Sequence, residues 1–206
     1  PVSLIELGAD TAAKTGTLLR ALARRQMRVK YFPVDISPSA LSEAQRRVRA
    51  EFAGALVKPV VVDFADGFGF LRHIAGKKFV LYLGSSIGNF DWNAATAMLR
   101  QVREQLASGD ALLLGTDMVK SADVLVPAYD DPQGVTAEFN KNILRRLNRD
   151  FKADFDLQFF DHVAEWSPSQ SRMEIYLEST RDQTVHMALA GTRVRFAAGE
   201  RIHTEN

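Results

Sequence analysis

The sequence predicts a doubly wound α/β sheet followed by a second, mainly antiparallel α+β lobe. Three observations carry this. Short apolar runs alternate with amphipathic segments up to Asp117. Several of these runs end in glycine or aspartate, as strands of an open parallel sheet do where they meet a ligand edge. Beyond Asp117 the alternation gives way to closely spaced strand-like segments of period two, separated by turn residues.

Each element follows from its residues. Residues 2–7 form an apolar run closing at Glu6-Leu7-Gly8, with the polar turn "ADTAAKT" behind it. Residues 11–25 carry Leu18, Leu19 and Leu22 at helical spacing, with arginines toward the end, where a helix dipole favours cations. Residues 29–34 read as a second strand closing at Asp35. Ser37-Pro38 then starts a helix that runs to about Phe52, with serine as cap and proline at the first helical position. Residues 56–62 are β-branched and continuous, a pattern expected of a strand buried on both faces, and end at Asp63-Phe64. A glycine-rich aromatic stretch leads to a strand over residues 79–83. Asp91 caps a helix reaching Leu106, and Gly109-Asp110 turns into a strand over residues 111–115.

The second lobe begins with "PAYDDPQGVT", read as a loop, and a helix over residues 136–150. Four segments follow, "FFDHVAEWS", "SRMEIYLEST", "QTVHMAL" and "TRVRFAA", whose alternation predicts an antiparallel meander.

Composition narrows the function. The chain has 206 residues, 46% hydrophobic and 25% charged, enough for a sizeable core in one large domain or a domain with an added lobe. Its net charge of +1, from 26 basic and 25 acidic residues, selects neither nucleic acid nor an anionic membrane as partner. With 0 cysteines it has no disulfide, thiolate nucleophile or cysteine-ligated metal, which fits a cytoplasmic location. No apolar run approaches the roughly 18 residues that cross a bilayer, and no signal-peptide pattern is visible. The chain opens inside a strand-like run and stops at "IHTEN", so both ends are expected to be cut.

One motif invites a hydrolase reading: Gly84-Ser85-Ser86-Ile87-Gly88 matches G-x-S-x-G. A nucleophile elbow needs a helix directly after the serine, whereas Ile87-Gly88-Asn89-Phe90 intervene before a helix is expected. His162, His186 and His203 fall on lobe strands, no HGGG-type segment is present, and no two histidines stand at metal-ligand spacing. The sequence therefore names no catalytic residue and no metal site.

The strand ends suggest a different chemistry. The first turn has Gly8 but Asp10 and Ala13 where G-x-G-x-x-G needs glycine, which disfavours a pyrophosphate. A ligand carrying adenosine without phosphates asks less of that loop. Asp35 is placed to accept from both ribose hydroxyls, Asp63 from an adenine amino group, and Phe64 to cover the ring. Together they suggest S-adenosyl-L-methionine. A strand-end aspartate also serves as a helix cap, and Lys14 reads by itself as a surface lysine, so those alternatives stay open.

The segments "IELGADTAAKT", "YFPVDIS", "VVDF", "LGSSIGNF", "GDALLLGTDMVK", "AYDDPQGVTAEFNKNIL", "ADFD" and "FAAGERIHTEN" occur in this order. In this combination the chain closely resembles the histidine-specific, S-adenosylmethionine-dependent methyltransferases of ergothioneine biosynthesis, over essentially its whole length. The resemblance implies a Rossmann-like class I methyltransferase sheet over residues 1–117 that binds the cofactor, and a substrate lobe over residues 118–206. It implies trimethylation of the α-amino group of L-histidine to hercynine. It assigns Gly8, Lys14, Asp35, Asp63, Phe64 and Gly84 to the cofactor, with Lys14 at the methionine end. It assigns Asn89 and Tyr129 to the amino acid's backbone groups and Glu205 to the imidazole, with Asn206 beside it. It further implies an N-terminal segment that supplies tyrosines to the substrate pocket, and strands after residue 206 that complete the sheet. The first loop carries fewer glycines and serines than is usual in the family. The protein is expected to act as a monomer on a free amino acid. A relative acting on another amino acid, such as a tryptophan derivative, and a non-catalytic cofactor-binding module are the competing expectations.

Overall fold

The computed structural model describes residues 1–13 and 15–206. It divides into two compact units, Pro1–Asp117 and Met118–Asn206.

In the first unit, β1 (Val2–Leu7), β2 (Lys30–Asp35), β3 (Leu56–Val57), β4 (Val60–Val61), β5 (Lys77–Tyr82) and β6 (Ala111–Leu114) form one sheet. Its order is β3-β2-β1-β5-β6, with β4 also on β2, and every pairing is parallel. The order reverses between β1 and β5, the switch point at which such sheets open a crevice. The helices are α1 (Gly16–Ala23), α2 (Pro38–Glu51) and α3 (Trp92–Glu104).

The two-residue period of the strands divides the core. Ile5, Phe32 and Val80 join Met98 and Val102 of α3 on one face. Leu4, Tyr31 and Leu81 join Leu19 of α1 and Ala44 and Val48 of α2 on the other. Burying a side chain of this size contributes roughly 1.5–3 kcal/mol. The helix starts follow their caps: the Ser37 hydroxyl accepts from the Ala40 amide at 3.3 Å, with Pro38 next to it. The Asp91 carboxylate accepts from the Ala94 amide at 2.7 Å.

Two polar clusters lie in this core. Glu6 accepts hydrogen bonds from the Thr15 and Tyr31 hydroxyls, all three side chains being buried. Burial, and then the Glu6 charge, push the Tyr31 phenol well above its ordinary range. Lys78 and Asp110 form a buried ion pair, Nζ to Oδ2 at 2.9 Å, and the Lys78 amide donates to Oδ1 at 2.7 Å. Burial alone would raise the Asp110 carboxyl, but hydrogen bonds from the Lys78 amide and ammonium and the Ala107 amide outweigh it and hold the pKa at about 2.

The first helix and the third strand run of this unit differ from the sequence-based expectation. The first helix begins at Gly16 rather than near residue 11, because Gly8, Asp10 and Ala12 take left-handed backbone, with φ of 67°, 44° and 55°. The run expected as one doubly buried strand is two short pieces at the sheet edge, with Val61 56% exposed. Pro59 between them has no amide to give to the ladder.

The second unit contains α4 (Ala122–Tyr129), α5 (Val135–Phe151), β7 (Phe160–Ser167), β8 (Arg172–Ser179), β9 (Gln183–Met187), β10 (Thr192–Phe196) and β11 (Arg201–Glu205). Its sheets are a three-stranded β11-β8-β7 and a β9-β10 hairpin, all antiparallel. Phe160 stands edge-on to Phe196 and Phe155, at centroid distances of 5.4 and 5.6 Å, over Leu144 of α5. Along β8, Met173, Ile175 and Leu177 point into the core, while Glu174, Tyr176 and Glu178 take the other face.

The expected continuous meander is therefore interrupted. The open edge of β8 is taken by β11, the strand that carries His203, rather than by the segment next in sequence. Gly199, at φ +80°, turns the chain there, and two backbone bonds seat it: the Gly199 amide donates to the Ser179 carbonyl and the Ser179 amide to the Glu200 carbonyl. The loop expected at residue 127 begins later, because α4 continues through Pro127 to bury Leu125 against Ala164, Met173 and Ile175.

Candidate functional site

A cavity of about 510 Å³ lies at the carboxyl ends of β1, β2 and β4, within the usual range for small-molecule sites. Gly8, Asp35, Ile36, Val62 and Asp63 supply the strand ends. Phe64, Ala65, Phe68 and Phe90 supply the aromatic and apolar wall, and one face of α3 closes it with Ala94, Ala97, Met98 and Gln101.

The carboxylates are held in place by backbone. Asp35 Oδ2 accepts from the Asp10 amide and Oδ1 from the Ser37 amide, both at 3.0 Å, which joins the first loop to the start of α2. Each oxygen keeps a further lone pair for a ligand. The Gly8 and Ala9 amides both donate to the Val34 carbonyl, at 2.9 and 3.0 Å, so the loop crosses directly over the end of β2. At Gly8 an added Cβ would have open space, so glycine is required there by its φ of +67° and not by a close neighbour. Asp63 Oδ1 accepts from the Ala65 amide at 2.9 Å, capping a short 3-10 turn over Phe64–Asp66. The Phe64 ring is backed by Phe68 at 5.3 Å and set edge-on to Tyr82 at 6.1 Å.

Of the residues assigned from sequence, Gly8, Asp35, Asp63 and Phe64 come together on this cavity. Lys14 lies outside the described residues. Gly84 has φ +81° but is not part of the lining. Asn89 ends a 3-10 turn over Ser86–Asn89, exposed and next to the wall residue Phe90. That turn corrects the expectation that no helical turn starts before Phe90. It forms because the Gly88 amide reaches the Ser85 carbonyl at 2.8 Å and the Phe90 amide reaches Ile87. The residue with left-handed backbone is Ser85, at φ 60°, not Ser86, whose hydroxyl donates only to the Leu83 carbonyl at 3.3 Å.

Tyr129, Glu205 and Asn206 belong to the second unit. Tyr129 packs on the cluster of Leu125, Ala164, Met173 and Ile175. Its carbonyl receives a hydrogen bond from His162 Nε2 at 2.8 Å. His162 Nδ1 in turn accepts from Asn140 Nδ2 at 3.0 Å, and the same amide donates to the Tyr176 carbonyl at 3.0 Å. Since a carbonyl only accepts, the ring is held as the Nε2–H tautomer. Glu205 stands opposite Ile175 in the β11–β8 pairing, and Asn206 follows it. His186 meets Asp154 and His203 stacks on Tyr176. Among the described residues no three histidine, aspartate or glutamate side chains converge as a metal site.

The α3 face of the cavity went unread in the sequence. Its signal is the spacing of Ala94, Ala97, Met98 and Gln101, one helical stripe in the first helix after β5.

The residues present fit an adenosine-bearing sulfonium: two placed carboxylates with acceptor capacity, and an aromatic wall between them. Comparison with known proteins agrees. Residues 1–206 match the family described as "Histidine-specific methyltransferase, SAM-dependent". The chain is 40% identical over 203 residues to a histidine N-alpha-methyltransferase of Mycolicibacterium smegmatis, covering 98% of this chain and 63% of that protein. It is 39% identical to the Mycobacterium tuberculosis protein of the same name, with the same coverage. Ergothioneine biosynthesis protein 1 of Schizosaccharomyces pombe is 29% identical over 192 residues, 90% of this chain and 25% of that protein. The chain thus spans about 63% of the length of the mycobacterial relatives. On the match of its entire length, it belongs to the histidine-specific, SAM-dependent methyltransferase family.

Proposed function

We propose that this protein methylates the α-amino nitrogen of L-histidine three times in succession, yielding hercynine on the route to ergothioneine. The observation that carries the reading is the cavity collecting Gly8, Asp35, Asp63 and Phe64 on one sheet edge, in a chain of this family. The first unit then serves the cofactor and the second, with Tyr129, Glu205 and Asn206, the amino acid. Lys14 takes the methionine end and Gly84 lets backbone pass near the cofactor.

When bound, S-adenosylmethionine supplies an already activated methyl group. The protein's part is alignment, which can contribute roughly 7–11 kcal/mol to such a step. Asp35 holds the ribose hydroxyls, and Asp63 with Phe64 holds the adenine. Asn89 and Tyr129 grip the substrate carboxylate while leaving the amino group free to turn between rounds. Glu205 pairs with the imidazole and thereby selects histidine. No side chain is assigned as base; the amine proton leaves to water. In this reading the protein is a cytoplasmic monomer acting on a free amino acid, without nucleic acid or membrane as partner. The near-neutral charge and the lack of cysteine support that location and partner class, and no helix among the described residues is long and apolar enough to cross a membrane.

The test uses the full-length protein with histidine and S-adenosylmethionine, followed by mass spectrometry. A product heavier by three methyl groups is expected. Intact cofactor binding without mass gain would overturn the activity. Tighter calorimetric binding of tryptophan than of histidine would overturn the substrate.

A further inference from the structure

Strand β11 loses register just before Glu205, the proposed partner of the substrate imidazole. Arg201, Ile202 and His203 stand opposite Glu178, Leu177 and Tyr176, each step along one strand matched by one step along the other. Continued, that register would set Thr204 against Ile175 and Glu205 against Glu174. Instead Glu205 stands against Ile175, and Thr204 is the extra residue of a β-bulge. The Thr204 hydroxyl donates to the Ile175 carbonyl at 3.0 Å. The side chain thus takes a β8 acceptor at the place where the ladder is broken.

The consequence is a change of face. Residues directly opposite on antiparallel strands share a side of the sheet. One side of β8 carries Glu174, Tyr176 and Glu178, already engaged: Tyr176 and Arg172 donate to Glu174, Arg201 bridges Glu178 and Glu165, and His203 stacks on Tyr176. An unbulged Glu205 would meet Glu174 there, like charge against like. The bulge places it instead beside Ile175, which belongs with Leu125, Ala164 and Met173 to the cluster that Tyr129 packs against. Glu205 and Tyr129, which lie far apart in sequence, thereby border the same core cluster.

We propose that Thr204 is a positioning residue for substrate recognition: its bulge, pinned by the hydroxyl on Ile175, turns Glu205 from the charged face of the lobe to the face of Tyr129. The proposal rests on the reading of Glu205 as the partner of histidine's imidazole.

The test is a double-mutant cycle on the full-length protein, read by calorimetry with histidine and separately with S-adenosylmethionine. Thr204→Val keeps the shape and removes the hydroxyl. It is expected to weaken histidine binding and raise its KM about tenfold, the scale of one lost hydrogen bond, with kcat and cofactor affinity nearly unchanged. Thr204→Ser should restore binding. In a Glu205→Ala background, Thr204→Val should add nothing, since its effect runs through the missing carboxylate. If Thr204→Val weakens histidine binding equally in both backgrounds, or leaves it unchanged in the otherwise native protein, the positioning role is overturned while the function stands. If the native protein binds cofactor but no histidine, the reading beneath it fails too. Cofactor affinity, measured on each variant, separates both outcomes from misfolding.

Discussion

Both units of the molecule bury polar groups that tie elements together, and the Lys78–Asp110 pair of the first differs in chemistry from the Asn140–His162 pair of the second. The first unit uses full charges: Lys78 on β5 meets Asp110, just before β6, and that pair fixes how two adjacent parallel strands align. The second uses neutral groups: Asn140 of α5 bonds to His162 of β7 and the carbonyl of Tyr176 on β8, and His162 bonds to the end of α4. A parallel sheet needs its register fixed between strands that are distant in sequence. In the small lobe, helices must be tied to a sheet, and an amide with donors on two sides does this without desolvating charge.

The comparison can be broken experimentally. Lys78→Met leaves the Asp110 side chain buried without its counter-ion, and should lower unfolding stability in denaturant by about 3–5 kcal/mol. A loss under about 1 kcal/mol would mean the pair is not a register lock. Acid reaches the same pair more gently. The folded Asp110 carboxyl, at about 2, lies below its ordinary 3.8, so its contribution is present above that value and lost as pH falls from about 4 toward 2. Asp131, at the start of α5, titrates in the same window, held down to about 2 by hydrogen bonds from Thr136 and the Val135 amide. The acid loss should therefore shrink, without vanishing, in Lys78→Met; an unchanged loss would assign it to surface carboxylates alone. Asn140→Ala strands the His162 nitrogen and the Tyr176 carbonyl and should cost about 1–3 kcal/mol, visible as a lower melting temperature. Asp35→Ala should weaken cofactor binding about tenfold with little change in melting, a split that calorimetry and thermal scans resolve. A loss of stability equal to that of Asn140→Ala would make Asp35 a structural cap and not a ligand group.

Local chemistry was legible in the sequence wherever one residue decides the outcome. Ser37 with Pro38 and Asp91 announced two helices, and the apolar runs announced the central strands. Elements decided by distant partners were not legible. Helix α4 carries Pro127 and forms because its apolar side meets Met173 and Ile175; that the strand of His203 pairs with the open edge of β8 is set by that distant partner. At the site, the strand-end residues Gly8, Asp35 and Asp63 could be found by position alone. The bulge at Thr204 could not, because alternation along a strand says which residues share a face but not which partner they meet.

The two backbone bonds on Asp35 have a thermodynamic consequence. A surface carboxylate loses rotational freedom when a ligand arrives, and that loss subtracts from affinity. Here the Asp10 and Ser37 amides have already immobilised the side chain during folding. The proposed role of Asp35 in holding the ribose therefore predicts cofactor binding with favourable enthalpy and little entropy lost from the protein, and freeing the carboxylate from its two amides should shift that balance before it changes the fold.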